Sequence, residues 1–181
     1  MKLDTETLLQ SGWRVGMEMD DEALHQLIQR SDTHRAQEKA LYLLEHRSHS
    51  KKELTERLTK KGASPDDAAE TADWLEDLGA VDDTAYAGVI VRHYGAMGCG
   101  AARVRQELHR RGVPKELWDE ALKQLPPPQE AIEKFLCAKL RGRPLTPEDS
   151  RRLAAALQRR GFSWQDIRPI LNGMGQEIDE T

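Results

Sequence analysis

The strings RLTKKGAS (57–64), ELHRRGVP (107–114) and ALQRRGFS (156–163) each end two basic residues in a glycine, and they place Gly62, Gly112 and Gly161 at intervals of 50 and 49 residues. Self-similarity at such a period marks one supersecondary unit copied in tandem. A unit of about 50 residues is marginal when folded alone, so copies that support one another are expected.

Working upstream from each glycine, Leu54 and Leu58, Val104 and Leu108, and Leu153 and Leu157 stand eight and four residues before it. This i, i+4 stripe predicts an apolar helix face that ends at a glycine suited to the left-handed C′ position. Ser50 with Glu53 forms a capping-box pattern, and Thr146-Pro147 offers an N-cap followed by proline at N1. A second helix follows each glycine. Ser64-Pro65 with Asp67, and Ser163 with Asp166, are N-cap signatures, and apolar or small residues recur at Ala68, Thr71, Ala72 and Leu75; at Trp118, Ala121, Leu122 and Leu125; and at Ile167, Ile170, Leu171 and Met174. A third helix precedes each pair, marked by Leu41 and Leu44, by Tyr86, Val89, Ile90 and Tyr94, and by Ile132, Phe135, Leu136 and Leu140. Period-2 alternation is nearly absent.

The fold expected is therefore all-α: three tandem three-helix repeats in an elongated, curved array with a short N-terminal extension. The extension covers 1–33, the repeats 34–81, 82–126 and 127–175, and an acidic tail 176–181. Breaks are placed near Asp82 and in the Pro126-Pro127-Pro128 run, where helix is excluded. Within the extension, Leu24, Leu27 and Ile28 suggest a short amphipathic helix after Asp20-Asp21-Glu22, and Gly12 to Gly16 reads as a turn.

Formal net charge is −4, so bulk charge gives no support to nucleic-acid binding, but its distribution is uneven. Residues 64–91 carry eight acids and no Lys or Arg, whereas 139–160 carry seven bases against two acids. Such asymmetry can present a cationic surface on an acidic protein; the competing reading is a solvated polar face. Cys99 and Cys137 are isolated, which suits a reducing compartment. The acidic start carries no apolar signal core, and no run approaches the roughly 18 apolar residues of a membrane span. A cytoplasmic monomer is expected, with no membrane association.

Enzyme constellations are missing. The chain has no G-x-x-x-x-G-K-[ST], no strand-following G-x-G-x-x-G, no H-E-x-x-H and no G-x-S-x-G. Gly98-Cys99-Gly100 reads as a tight turn before a helix. His46 and His49 lack a third ligand nearby, and Asp82-Asp83 is explained as helix capping. No catalytic residue, cofactor or metal is expected.

Cations remain. Nine and two residues before the glycine stand Arg103 and Arg110 in the second repeat and Arg152 and Arg159 in the third, with Glu53 and Lys60 in the first. Seven residues is almost two turns, so the two positions share a face distinct from the apolar one. Lys61, Arg111 and Arg160 add a base directly before each glycine. Cations near a helix C-terminus complement its dipole, which accounts for the last two positions but not for Arg103 and Arg152. The stripe Lys60, Lys61, Arg103, Arg110, Arg111, Arg152, Arg159 and Arg160 is accordingly the candidate surface for a polyanion, either phosphate or an acidic protein. Few aromatics interleave with it, so any DNA contact should be weak and without sequence preference.

Several of these residues together resemble the RecX family, regulators of the RecA recombinase. The likeness is strongest over 36–125: Ala40-Leu41, Arg47-Ser48, Glu53-Leu54, Leu58 and Lys61-Gly62, then Gly79-Ala80-Val81-Asp82-Asp83 with Tyr86-Ala87, then Gly98, Gly100, Glu107-Leu108 and Gly112-Val113. The central segment is similar to the family's Gly-x-Ile/Leu-Asp-Asp-x-x-Phe/Ala signature, with Ala80-Val81 a mild departure. The N-terminal part is shorter than in members with extra upstream strands. The resemblance implies three tandem three-helix repeats and a non-enzymatic inhibitor. Such a protein binds the RecA–DNA filament along its groove and thereby regulates recombination, DNA repair and the SOS response. Some members also bind single- or double-stranded DNA. The alternatives are a helix-turn-helix-like, transcription-regulating array and a generic helical scaffold; the former needs a polar recognition helix, and the third helices here are acidic or apolar.

Overall fold

The computed structural model describes residues 3–176, which hold ten α-helices, one 3-10 turn and, among the described residues, no strand. The three glycine strings close three helices in the same way. α3 (Lys51–Lys60), α6 (Ala101–Arg110) and α9 (Pro147–Arg159) are each followed by a residue and then by a left-handed glycine, with φ of 89°, 71° and 92° at Gly62, Gly112 and Gly161. The amides of Ala63, Val113 and Phe162 donate to the carbonyls of Leu58, Leu108 and Leu157 at 3.1, 3.0 and 3.2 Å, while the glycine amides donate to Thr59, His109 and Gln158. This is the Schellman closure, which satisfies carbonyls left orphaned at a helix end. Leu58, Leu108 and Leu157 are fully buried, each contributing about 1.5–3 kcal/mol.

The chain divides into two compact units, residues 1–83 and 84–181. In the first, α1 (Thr5–Ser11) and α2 (Asp21–His46) precede α3 and α4 (Pro65–Asp77). Ala40 and Leu43 of α2, Leu54 and Leu58 of α3, and Ala68, Ala72 and Leu75 of α4 form one core. Two sequence expectations are corrected here. No break falls at 33/34: α2 runs unbroken for 26 residues, because 22–46 hold neither glycine nor proline, and buried Ser31 accepts from the Asp4 amide at 2.7 Å. Its core stripe is Ala36, Ala40 and Leu43, leaving Leu41 exposed. α1 was not anticipated, although Asp4 accepts from its first-turn amides and Gly12 ends it in the left-handed region. Asp83 Oδ1 accepts the Lys51 amide at 2.9 Å, so that carboxylate fastens the start of α3.

The second unit holds α5 (Asp83–Ala96, whose first residue belongs to the first unit), α6, α7 (Trp118–Leu122), α8 (Pro128–Leu140), α9 and α10 (Trp164–Gln176). Tyr86, Ile90, Val91, Val104, Leu108 and Ala121 form one core, and Ile132, Leu136, Leu153, Leu157, Ile167 and Leu171 another. The helix expected through Leu125 is shorter. Pro114 offers no hydrogen-bonding side chain to cap it, it opens as a 3-10 turn at Lys115–Leu117, and α7 stops at Leu122, ahead of a proline run that disfavours helix. Pro128 is tolerated at the first position of α8. Val89 is exposed rather than part of the α5 core face. Beyond Gln176 the expected acidic tail lies outside the described residues.

α6 differs from α3 and α9 at its start. Ser50 and Thr146 cap those helices by side chain, whereas Gly100 at the α6 N-cap makes no side-chain cap bond. The α6 amides are met instead by the C-terminus of α9: Gly100 N–H donates to the Arg160 carbonyl at 2.9 Å and Ala102 N–H to the Gly161 carbonyl at 3.1 Å. The two backbones touch. A Cβ on Gly161 would lie 2.3 Å from the Arg103 nitrogen, and one on Gly100 2.3 Å from the Gly161 oxygen. Gly62, at a similar φ of +89°, has nothing within 4 Å of its Cβ direction. Gly62→Ala is therefore expected to cost about 1–2 kcal/mol, the left-handed penalty alone. Gly161→Ala should cost at least about 2 kcal/mol more, because backbone must move. Denaturant unfolding of both variants checks this; equal losses would contradict the close approach.

Candidate functional site

The stripe predicted from the sequence falls into three differently compensated sets. On α6 the cations converge on Glu107, which is 4% exposed. Arg103 Nη2 lies 3.3 Å from Oε1, Arg110 Nε and Nη2 donate to Oε2 at 2.9 and 2.7 Å, and Arg111 Nε stands 3.8 Å from Oε2. Arg111 Nη1 also donates to the Tyr86 hydroxyl at 2.8 Å. Burial alone would push the Glu107 carboxyl up, but the Arg110 hydrogen bonds and charge, the Tyr94 hydroxyl and the Arg103 charge together hold it below the usual carboxylate range. Arg103, which the helix dipole does not account for, thus has a structural partner in Glu107. The spacings 103→107, 107→110 and 107→111 carried that signal in the sequence, since residues three and four apart face each other on a helix.

α3 carries the same device with signs exchanged. Glu53 stands where α6 has Arg103, and it accepts from Arg47 and from Arg57, whose Nη2 is 3.3 Å away. Burial would raise this carboxyl too, and the Arg47 hydrogen bond and charge pull it below its ordinary value. Lys60 and Lys61 are exposed, and neither ammonium is ion-paired among the described residues. The position held by Arg57 and Glu107 is Ala156 in α9. With no carboxylate there, Arg152 turns to Asp149 Oδ1 at 2.7 Å while remaining 67% exposed, and Arg159 has no ion pair among the described residues.

Arg160 serves the fold. Its Nη1 donates to the Met97 and Gly98 carbonyls at 3.3 and 3.4 Å, closing the end of α5, and its guanidinium carbon sits 4.8 Å from the Phe135 ring centroid. Tyr86 occupies the position equivalent to Phe135, and Arg111 lies over it at 6.0 Å. The matching residue of the first copy is Ala36, paired with a lysine at 61. Arginine before the glycine thus goes with an aromatic in α5 and α8, a pairing that tandem spacing alone did not bring out.

Three of the eight candidates therefore share one carboxylate, Arg152 is weakly held, Arg160 is structural, and Lys60, Lys61 and Arg159 are available. Because exposed ion pairs contribute only about 0–1 kcal/mol, Arg152 can exchange its partner for a bound anion, whereas Arg103 and Arg110 answer a buried carboxylate that would be left uncompensated without them. The Nδ1 atoms of His46 and His49 lie against backbone carbonyls, of Tyr42 at 2.8 Å and of Arg47 at 2.9 Å. Among the described residues, Asp4, His34 and Glu38 have metal-ligand spacing, but Asp4 already accepts from Thr7 and faces His34 at 3.1 Å.

The Glu107 cluster fixes a pH dependence. A depressed carboxyl stabilises the fold above the ordinary carboxylate value of about 4.3, and that contribution is lost as pH falls through the depressed value. Glu107→Gln is expected to cost about 1–3 kcal/mol at pH 7. The difference from the parent protein should shrink below about pH 4; thermal unfolding across pH checks it, and a pH-independent difference would contradict the assignment.

The geometry can be compared with known proteins. Family models described as the first and second three-helix domains of RecX match residues 36–75 and 82–122, spanning the cores of α2–α4 and α5–α7. The chain is 31% identical over 186 residues to regulatory protein RecX of Geobacillus kaustophilus, covering 99% of this chain and 69% of that one. It is 35% identical over 133 residues to regulatory protein RecX of Xanthomonas axonopodis pv. citri, covering 72% and 82%. A crystal structure of regulatory protein RecX superposes with a TM-score of 0.77 at 21% identity, over 94% of this chain and 88% of that one, and so shares its fold. Helices, glycine closures and relatives agree: the chain belongs to the RecX family of regulatory proteins.

Proposed function

We propose that this protein inhibits RecA recombinase activity by binding the RecA–DNA filament, and so regulates recombination, DNA repair and the SOS response. The observation that carries the reading is the uncompensated charge of α9. Ala156 replaces the carboxylate that neutralises the arginines of α6, so Arg159, exposed Arg152 and the neighbouring bases face outward from a protein whose net charge is −4. A surface of that kind attracts phosphate or an acidic protein face, and contact with several subunits of a repeating partner adds weak interactions together. Lys60 and Lys61 supply a second cationic point on the first unit. Inhibition follows when the bound protein blocks filament growth or the movements needed for turnover. No cofactor, metal or catalytic residue enters this mechanism, and the protein acts as a monomer in the cytoplasm.

RecA-driven ATP hydrolysis on single-stranded DNA, measured with rising amounts of this protein, tests the reading; unchanged hydrolysis at stoichiometric amounts would sink it. Replacing Lys60, Lys61 and Arg159 together by alanine should weaken inhibition roughly tenfold and flatten its salt dependence, with helicity unchanged. Undiminished inhibition would return these cations to the solvated surface.

A further inference from the structure

Arg111 and Arg160 occupy the same place before their glycines, yet their surroundings differ in one respect. Arg111 has the Glu107 carboxylate and the Tyr86 hydroxyl beside it. Arg160 has Ala156 and Phe135 at the matching positions, neither of which offers an acceptor. Its Nη1 is fixed by two carbonyls and its plane by the Phe135 ring, while Nε and Nη2 make no hydrogen bond or ion pair among the described residues. A guanidinium held at one corner with its other edge free is prepared for a bidentate carboxylate.

Arg160 is also one of the residues lining a groove of about 390 Å³ in the second unit. Met97, Pro126, Ala131 and Phe135 give it apolar lining, and Gly95 and Gly98 contribute no side chains to fill it. Met97 is 56% exposed and therefore open to a partner's side chain. Of the charges at the groove, Lys134 and Arg160 outnumber Glu130.

We propose that this groove binds a short acidic–apolar peptide segment of a partner protein, with a carboxylate on the free edge of Arg160 and an adjacent apolar side chain against Phe135 and Met97. The occupant is inferred from charge complementarity and from α6, where the chain supplies its own carboxylate to the equivalent arginine. The groove is defined by this chain's residues alone, so the proposal does not rest on the filament reading and its test uses no RecA.

The probe is an acetylated, amidated peptide of sequence Glu-Leu-Phe-Asp-Glu titrated into isotopically labelled full-length protein and followed by amide NMR. Saturable shifts are expected at Gly95, Gly98, Ala131 and Phe135, and they should vanish for the Gln-Leu-Phe-Asn-Gln analogue. Lys134→Glu and Met97→Glu, both at exposed positions, should each weaken binding roughly tenfold while leaving the remaining spectrum in place. The proposal is overturned by an absence of saturable shifts at millimolar peptide, by equal binding of the amide analogue, or by both variants binding like the parent. Displacement of the same resonances by a DNA oligonucleotide at lower concentration would also overturn it, assigning the groove to phosphate.

Discussion

The N-terminus of α6 has no side chain to cap it, and that deficit organises the second unit. A helix leaves its first amides without intrahelical partners, and burying them unpaired costs free energy comparable to lost hydrogen bonds. Here the carbonyls of Arg160 and Gly161 at the end of α9 accept from Gly100 and Ala102. One helix's orphan acceptors thus answer another's orphan donors, which requires the two backbones to touch. Only glycine at both 100 and 161 permits that distance. The joint also brings Arg160 over Phe135 and onto the end of α5, so the core of α5–α7 and that of α8–α10 belong to one compact unit.

Compensation of charge then decides which cations a partner can reach. A carboxylate within one turn draws the arginines of α3 and α6 back onto their own helices, at Glu53 and Glu107. Loss of that carboxylate at Ala156 releases Arg159 and leaves Arg152 with only an exposed pair. The arginines of α6 and α9 match in sequence position but not in surroundings, because three arginines of α6 share one buried carboxylate. An acidic protein can therefore carry a local cationic face without an excess of bases overall, since what matters is how many of them are neutralised nearby.

Helix ends were legible because their physics is local. Ser50, Ser64, Thr146 and Ser163 announce starts, and the left-handed glycines announce stops, within a few residues of sequence. The continuity of α2 is less legible, because its buried positions Leu27, Ser31, Ala36, Ala40 and Leu43 include small and polar residues that make a weak apolar stripe. α1 has local signals too, in the Asp4 cap and the left-handed Gly12, but its seven residues carry little apolar periodicity. The Glu107 cluster is legible in i+3 and i+4 spacing once acids are read together with the bases they face. Nothing local reveals the approach of Gly100 to Gly161, or separates Arg160 from Arg159, because both depend on contacts between segments distant along the chain.

Native-state hydrogen exchange at Gly100 and Ala102 tests the central claim most directly. Amides in the first turn of an uncapped helix normally exchange close to the rate of exposed backbone. If the α9 carbonyls hold them, both should be protected to the level of the buried amides of α9 itself, and Gly161→Ala should abolish that protection at both together. Rapid exchange at Gly100 and Ala102 in the parent protein, with the core of α9 still protected, would contradict the account.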